Sequence, residues 1–495
     1  MRAVARWALL SSLAACTEEA RFTLRVQGAS RAELDPLTDP RLTVLRIVDD
    51  RTGRALGEAT VLPGQQRSIG ALPPGNMDLR VEGLSQGGLL LALGRRRAAH
   101  LATESTQVVE VALRKPMGLV LGATGLDLVD TAASIDPGVS VAMAGARATA
   151  ATHDGRTLLV SAESTLVRVS TSTLAEEARS DLGGAAGALV VDPRDRTVAA
   201  LLADRVVLVG VEGIGQPSGE IGPQVALISG PLAAAFSKDG ETLHVVSGAL
   251  PACGMAGQAL VAIDRASGAT SSSLPLDQPI ADVAVHGGTG RVLLAAPCAG
   301  KVLVLDPSGA TSDLFAAPGA SDLAVAGDTV VVVGDAALSG PASLTVGDLV
   351  GGSASQVAWD PPRFSGTFSD PRAPNRVDLL VAATRLHARD VALSADGRRA
   401  LLSASLSYEA MFPALAPGNG FTCRGILQAT TDGVWGIDLS SGATWLERRA
   451  QEAVRTCKLD CTLDALPVPF EISCQGRGIA QPFQVRGVHF LFGGT

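Results

Sequence analysis

Short apolar runs, each ended by a turn, follow one another along most of this chain. From about residue 118 onward one unit recurs: an apolar run, a polar turn that usually contains Gly, and a second apolar run. The turns of this unit lie at 152–156, 192–196, 237–241, 286–291, 326–328 and 394–398. Most copies are about 37 to 50 residues apart, the length of one four-stranded propeller blade, whereas the last interval of about 70 requires an insertion. The pattern therefore predicts an all-β ring of antiparallel sheets.

The phrase Ser-Gly-Ala-Thr is a second recurrent signal. It occurs at 267–270, 308–311 and 441–444, each time after an apolar run that ends in Asp. Asp and Ser side chains bond their own backbone in tight turns, and Gly supplies a positive φ. If the strands of a blade are named a to d from the channel outward, this phrase predicts the c–d hairpin, and the first signal predicts the a–b hairpin.

Together, the two hairpins resemble those of YVTN-type and lactonase-like β-propellers, in which a strand ends in Asp and a Ser/Thr-Gly turn follows. The resemblance covers about residues 146–448 and implies six blades there. Residues 449–495, which end in the apolar run 488–492, are expected to pair with strands from 118–135 and close a seventh blade, because a ring needs a latch that removes free strand edges. Seven blades over 118–495 are therefore preferred, and a six-bladed ring with a separate cysteine-rich tail is the alternative.

Residues 17–116 predict a separate β-sandwich of transthyretin-like or Ig-like type. Period-two runs such as 22–26, 42–47 and 108–113 alternate there with turn signals. The segment 69–81 resembles the hairpin of transthyretin-like and carboxypeptidase-regulatory-like accessory domains, which implies a spacer or adhesion module.

Residues 1–16 have the features of a bacterial lipoprotein signal peptide. Two arginines precede an apolar run too short to span a bilayer, and Leu13-Ala-Ala-Cys16 resembles the lipobox, which implies acylation of Cys16. Thr17 follows the cysteine, and a residue other than Asp there favours the outer membrane under the family's sorting rule. This interpretation predicts an outer-membrane lipoprotein that faces the periplasm or the cell surface and is held by its lipid alone. An ordinary signal peptide with an incidental cysteine is the alternative.

Charge and cysteines agree with an exported binding protein. The formal charge of -8 argues against non-specific nucleic-acid binding.

Six cysteines remain after Cys16, and an even number in an oxidising compartment predicts disulfides. They are Cys253, Cys298, Cys423, Cys457, Cys461 and Cys474. A Cys253–Cys298 bridge is preferred because both occupy the b–c loop of adjacent blades, and Cys423 is expected to bond a tail cysteine. A zinc site at 457–461 is the competing interpretation, but no nearby His completes it, so no metal site is assigned.

Propeller topology converts loop lengths into a prediction about faces. The a–b and c–d hairpins, which are short, lie on one face, called the turn face here. The b–c and d–a connections lie on the other, called the long-loop face, and long connections are predicted there at 249–258, 359–387 and 406–432. Long loops on a rigid scaffold often carry binding sites.

Aromatic residues, which are scarce in this protein, are concentrated in two of these segments. Those considered for binding are Trp359, Phe364, Phe368, Tyr408 and Phe412. Exposed aromatics favour recognition of a protein or a sugar. The other interpretation is that they fold under and pack small cores of their own.

Three aspartates occupy the first residues of strand a in blades four to six: Asp282, Asp322 and Asp390. Strand a lines the channel, so the three carboxylates are expected at its mouth on the long-loop face. They are suited to a divalent cation or a cationic group, because hard cations take oxygen ligands, and no other cofactor is predicted. The structural interpretation is that each Asp bonds nearby backbone N–H groups.

The expected function is a non-catalytic binding or scaffolding module whose long-loop face contacts an envelope protein or a polysaccharide. The alternative is a hydrolase, because lactonase-like propellers act through carboxylates, His and Arg near the mouth. The residues concerned are then Asp282, Asp390, His387 and Arg389. A redox or metal carrier is a third hypothesis. No His-Glu-x-x-His or phosphate-loop signature occurs.

Overall fold

The structure is a computed structural model, and it describes part of the chain. The described residues are 20–60, 67–72, 75–101, 107–122, 124–132, 139–216, 221–227, 229–250, 252–254, 257–306, 309–369, 376–414, 421–449, 453–463, 466–470, 473–476 and 485–492. Within these ranges the chain is β-structure with two single-turn 3-10 helices, Pro36–Thr38 and Val211–Gly213. No helix in these ranges has the length and apolar character needed to cross a membrane.

The N-terminal strands form two sheets with a common core. They are β1 (Ala20–Gln27), β2 (Leu42–Asp49), β3 (Ala55–Thr60), β4 (Arg67–Leu72), β5 (Gly75–Ser85), β6 (Leu90–Leu101) and β7 (Gln107–Ala112). One sheet has the order β4-β1-β7 and the other the order β3-β2-β5-β6. Leu24 and Val111 from the first pack with Ile47, Leu79 and Val81 from the second. We refer to this pair of sheets as the sandwich.

Antiparallel sheets follow, and we assign one blade to each of seven of them in the described part of the chain, of which six have four strands and the sheet of blade six has seven. Their first strands are β8 (Met117–Gly122), β9 (Gly125–Asp130) and β10 (Val139–Ala142), which belong to blade seven. Blades one to three contain β11 (Ala146–Ala151), β12 (Thr157–Ala162), β13 (Thr165–Ser170), β14 (Glu176–Asp181), β15 (Ala188–Val191), β16 (Thr197–Leu201), β17 (Arg205–Gly210), β18 (Ile221–Ala226), β19 (Pro231–Phe236), β20 (Thr242–Ser247), β21 (Ala259–Asp264) and β22 (Thr270–Pro275).

The remaining strands complete blades four to seven and an extension of blade six. Blades four and five contain β23 (Asp282–Val285), β24 (Val292–Ala296), β25 (Lys301–Leu305), β26 (Thr311–Ala316), β27 (Ala320–Ala326), β28 (Thr329–Gly334), β30 (Ala342–Asp348) and β31 (Ala354–Trp359), with β29 (Ala336–Ala337) pairing across to blade six. The later strands are β32 (Phe364–Ser369), β33 (Arg376–Val381), β34 (Ala383–Leu393), β35 (Arg399–Ala414), β36 (Phe421–Asp438), β37 (Thr444–Arg449), β38 (Ala453–Leu463), β39 (Leu466–Phe470), β40 (Ser473–Gly476) and β41 (Val485–Phe490).

Inner strands are apolar on both faces because a neighbouring blade covers each face. In blade four all of β24 is buried, with Leu294 packing toward blade three and Leu293 toward blade five. The outermost strand β22 of blade three reads Thr-Ser-Ser-Ser-Leu-Pro and is mostly exposed. The continuous apolar runs therefore correspond to inner strands, as the sequence pattern indicates.

The C-terminal strand closes blade seven. β41 pairs antiparallel with β8, and Val488 lies opposite Val120. This is the pairing predicted from the apolar run 488–492. Phe490, Leu491 and Phe492 are buried, so the latch is held by packing as well as by strand hydrogen bonds.

The Ser-Gly-Ala-Thr turns form as predicted where they are described. In the third copy the Asp438 carboxylate accepts the backbone N–H of Ser441 at 3.1 Å, and Gly442 has a φ of +72°. A Cβ at Gly442 would lie 1.8 Å from the carbonyl oxygen of Ala358 in the preceding blade. Gly is therefore required both for the turn and for close contact between blades.

Two of the three predicted long loops are strands, so that part of the sequence interpretation is wrong. β35 and β36 pair without a break from Arg399 and Asp438 to Ala414 and Cys423, which makes 406–432 mainly a long hairpin. Within 359–387 lie β32, β33 and the start of β34. Residues 406–412 and 426–432 contain no Gly or Pro, and the pairing of β35 with β36 extends the sheet there. The described residues between β20 and β21 lie in a loop as predicted.

The preferred disulfide is confirmed. Cys253 and Cys298 form a bond between the b–c connections of blades three and four, 45 residues apart in sequence. The backbone register places Cys423 directly opposite Cys461, which is one of the tail cysteines expected to bond it. The side chains of Cys423, Cys457, Cys461 and Cys474 lie outside the described residues, as does Cys16.

The sandwich packs on the turn face of the ring. Arg31 N–H bonds the carbonyl oxygen of Ser172 at 3.2 Å, and buried Arg114 donates from Nε to Thr171 Oγ1 at 3.0 Å. Thr171 and Ser172 belong to the c–d turn of blade one. Leu34 and Leu93 of the N-terminal region join the apolar core beneath blades seven and one. The two parts are therefore joined by buried contacts.

Candidate functional site at the channel mouth

The channel along the ring axis contains a cavity of about 450 Å³. Its wall is formed by strand a of all seven blades: β11, β15, β19, β23, β27, β34 and β41. Much of this wall is alanine, for example Ala150, Ala188 and Ala233, and these small side chains leave the space open. The volume is in the range of cavities that hold small ligands.

The three aspartates predicted to converge do meet in this wall. The carboxyl of Asp322 lies between those of Asp282 and Asp390 and shares hydrogen bonds with both. Each keeps part of its surface open to the channel. They converge because each is placed at the same level of strand a in three consecutive blades.

Each carboxylate also bonds the backbone of the next blade. Asp282 Oδ2 accepts the N–H of Leu323 at 3.1 Å, and Asp322 Oδ2 accepts the N–H of Val391. Asp390 Oδ2 accepts the N–H of Val488 in the closing strand at 2.7 Å. The three bonds form a series that ties blades four, five, six and seven together. The structural interpretation of these residues is thus supported, and it coexists with their convergence.

Burial and crowding change the titration of the cluster. Burial raises the pKa of all three carboxyls, and the pKa of Asp322 is raised furthest because the charges of Asp282 and Asp390 oppose its ionisation. The same causes raise the pKa of Asp390 to about 7, although the Val488 N–H opposes them. A cluster of this kind holds protons at neutral pH.

The other hydrolase candidates divide between the cavity and its surroundings. Arg389 lines the cavity and bonds Asp432 Oδ1 through Nη2 at 3.0 Å. His387 does not line it, and its Nδ1 lies 3.1 Å from Asp335 Oδ2 in blade five. Arg147, which the sequence did not single out, lines the mouth from blade one. In the described ranges, no three His, Cys, Asp or Glu side chains are placed to hold a metal ion together.

Histidines lie in the channel wall and in a–b turns of the turn face. His489 of β41 lines the cavity, and burial together with nearby His153 lowers its pKa to about 4. His153 Nδ1 lies 3.0 Å from Asp195 Oδ1 of blade two, and His286 Nε2 lies 3.0 Å from Asp328 Oδ1 of blade five. Sequence reasoning missed His489. Its position between buried Val488 and Phe490 in a strand with period two was the available signal.

The predicted aromatic binding surface is wrong for the residues that the structure describes. Trp359, Phe364 and Tyr408 are fully buried in the core between blades five and six. Trp359 Nε1 bonds Thr444 Oγ1 at 2.9 Å, and Tyr408 OH bonds the Pro362 carbonyl oxygen at 3.0 Å. Their polar atoms are satisfied inside the protein, as the packing interpretation requires. The side chains of Phe368 and Phe412 lie outside the described residues.

Exposed apolar side chains on the long-loop face are aliphatic instead. Leu250 is 78% exposed in the b–c loop of blade three, and Met411 is 76% exposed on the long hairpin. Leu380, between blades five and six, is 65% exposed. These side chains were not selected from the sequence because isolated apolar residues carry no pattern.

No family model and no curated protein matches the chain. Solved structures with related folds include U3-55K, with 9% identity over 54% of this chain and 77% of that chain and a TM-score of 0.38. They also include the β-propeller domain of Cps50 (Swd1) from Myceliophteria thermophila, with 10% identity over 64% and 88% and a TM-score of 0.38. The dihydro-heme d1 dehydrogenase NirN in complex with DHE has 14% identity over 71% and 75%, with a TM-score of 0.38. TM-scores below 0.5 support no inference about partners or chemistry. The chain is a β-propeller protein by its own sheet topology.

Proposed function

We propose that this protein is an envelope lipoprotein whose propeller binds a protein or polysaccharide partner through the long-loop face, without catalysis. The observation that carries the proposal is the position of the sandwich on the turn face. Contacts such as Arg114 to Thr171 and Arg95 Nη1 to the His153 carbonyl oxygen occupy part of that face. The channel mouth opens on the opposite face, away from these contacts.

The proposed lipid anchor orients the sandwich and the ring relative to the membrane. β1 begins at Ala20, shortly after the proposed acylation site Cys16. A membrane-anchored N-terminus places the sandwich between the membrane and the ring. The long-loop face is then the surface directed away from the membrane and toward partners.

The aliphatic side chains on this face support a macromolecular partner. Leu250, Leu380 and Met411 are three of the five large apolar side chains most exposed in the described part of the chain. Burying an aliphatic side chain of this size contributes about 1.5 to 3 kcal/mol. A complex in which a partner covers these side chains is stabilised because their apolar surface is removed from water.

Photo-cross-linking in intact cells tests the choice of face. A photo-reactive residue at position 250 or 411 is expected to capture a partner, whereas one at Val350 is expected to capture none. Val350 is the matched control because it is 68% exposed but lies in the c–d turn of blade five, on the turn face. Adducts at 350 alone, with none at 250, 380 or 411, contradict the proposal. Sensitivity of the adduct to protease or to glycosidases then identifies the partner as protein or polysaccharide.

A lactonase-like hydrolase is the second candidate, and the carboxyl cluster favours it. A carboxyl with a pKa of about 7, such as Asp390, suits general acid–base catalysis at neutral pH, and it faces a cavity of about 450 Å³. If this candidate is correct, the purified protein opens lactones and Asp390→Asn lowers kcat at least about 100-fold. His387→Ala is the control, because His387 does not line the cavity and should matter little. If the unmodified protein does not hydrolyse lactones, the hydrolase hypothesis is wrong.

A further inference from the structure

A second cavity, of about 150 Å³, lies where the sandwich meets the a–b turn of blade six. Liquid water occupies about 30 Å³ per molecule, so this cavity has room for several waters or a small ion. Its charged lining consists of Arg46, Arg80, Glu82 and Arg95 from the sandwich and Asp396 and Arg398 from blade six. Four guanidinium groups therefore face two carboxylates.

The carboxylates on the sandwich side are each shared between two arginines. Glu82 lies 2.9 Å from Arg80 Nε and 3.9 Å from Arg46 Nη1. Asp50, just behind the lining, lies 3.2 Å from Arg80 Nη1 and 3.4 Å from Arg95 Nε. A third carboxylate, Glu58, lies with Oε1 3.1 Å from Arg46 Nε, so the charges of this wall are balanced, and what the wall lacks is hydrogen-bond acceptors for the buried Nε atoms of Arg80 and Arg95.

The blade-six side also presents a guanidinium whose donors are unused within the described ranges. The carboxylate of Asp396 accepts Ser394 Oγ at 2.6 Å and the backbone N–H of Arg398 at 3.2 Å, so it closes its own turn. The guanidinium of Arg398 has no hydrogen-bond or ion-pair partner among the described residues. It is available to an acceptor in the cavity.

Arg95 is the group with the greatest need of an acceptor. Its side chain is largely buried, and burial together with the charges of Arg80 and Arg97 lowers its pKa. The bond from Nη1 to the His153 carbonyl oxygen is long, at 3.4 Å, and the buried Nε makes no hydrogen bond within the described part of the chain. Buried donors without acceptors are costly, so a ligand that accepts hydrogen bonds here is stabilising.

We propose that this cavity binds a tetrahedral oxyanion, such as inorganic phosphate or sulfate, between Arg80, Arg95 and Arg398. Planar guanidinium groups suit such oxygens because they donate two parallel hydrogen bonds. The bound anion bridges the sandwich and blade six. It thus strengthens the contact between the two parts of the chain, independently of any partner on the long-loop face.

Binding is tested on the full chain with phosphate and sulfate as probes. Isothermal titration at constant ionic strength, with chloride as the balancing anion, is expected to show saturable binding of one anion. The melting temperature is expected to rise with phosphate and, above the dissociation constant, to keep rising with the logarithm of its concentration, as for any ligand that binds only the folded state. Arg95→Gln and Arg398→Gln are each expected to weaken binding at least about tenfold. Arg265→Gln is the control, because Arg265 lies on the turn face of blade three and pairs with Glu241.

Three results overturn the proposal. The first is the absence of saturable phosphate or sulfate binding beyond the effect of chloride. The second is unchanged affinity in Arg398→Gln, which removes an exposed side chain and is expected to fold normally. The third is equal affinity for acetate, which makes the site a general carboxylate site rather than a tetrahedral oxyanion site.

Discussion

A chain that ends at residue 484 is expected to lose cooperative folding, because it lacks the strand that closes the ring. The truncation removes Val488, Phe490 and Phe492, which are all buried. It also leaves one hydrogen-bonding edge of β8 without its partner strand. Loss of one buried Phe side chain costs about 3 to 5 kcal/mol. The sum of such losses is comparable to the whole stability of a typical domain, about 5 to 15 kcal/mol. The expected result is a broad, non-cooperative thermal transition by circular dichroism and rapid proteolysis.

A chain that ends at Phe492 is the matched control and should melt like the full chain, since it keeps β41 and the packing of Phe492. Comparison of these two shortened chains also distinguishes a ring of seven blades from a ring of six. If the truncated chain melts cooperatively within a few degrees of the full chain, the closing role of β41 is wrong and a ring of six blades is favoured.

The unfolding free energy is expected to fall as pH rises from about 4 through neutrality, and Asp322→Asn is expected to weaken this dependence. The pKa of each clustered carboxyl is raised in the folded state, so the folded protein binds more protons than the unfolded chain between pH 4 and about 7. The contribution is complete below the unfolded pKa of about 3.9 and is lost as pH rises through the folded pKa. Each carboxyl that loses its proton between pH 6.5 and 8 lowers stability by about 1 kcal/mol.

The pH range of the measurement matters because titration of His489 changes the unfolding free energy in the opposite direction. Its pKa is lowered to about 4, so its contribution to stability grows between pH 4 and 6.5 and is constant above that range. Denaturant unfolding from pH 6.5 to 8.5 therefore reports mainly on the carboxyls. Above pH 7, Asp322→Asn should be at least as stable as the unmodified protein, because the central charge is gone and the amide oxygen still accepts the Val391 N–H. Asp277→Asn, at an exposed position, is the control. The same slope in Asp322→Asn as in the unmodified protein contradicts the assignment.

The convergence of the three aspartates and their bonding to backbone N–H groups were predictable, whereas the location of those N–H groups in the next blade was not. Alignment on the a–b turns places Asp282, Asp322 and Asp390 at one level, because a turn fixes the register of the strand before it. The acceptor role of each carboxylate depends on how far one blade is rotated against the next. That rotation is set by packing between blades.

The aromatic residues show where local patterns fail. Trp359 and Tyr408 were assigned to loops because no short repeat surrounds them. In the structure, β35 and β36 continue well beyond the ring and bring these side chains into one core. Pairing over such a length depends on contacts with β38 and the preceding blade, which a single segment of sequence does not encode.

Most blade strands, the turn chemistry, the closing pair and the Cys253–Cys298 bond could be predicted from the sequence alone. These features follow from residue periodicity, from Asp and Gly in tight turns, and from the ring topology that those turns imply. The face that the sandwich covers, the burial of the aromatics and the partners of the carboxyls and arginines are fixed only in the folded protein. Those outcomes depend on side-chain packing and charge compensation between segments that are distant in sequence.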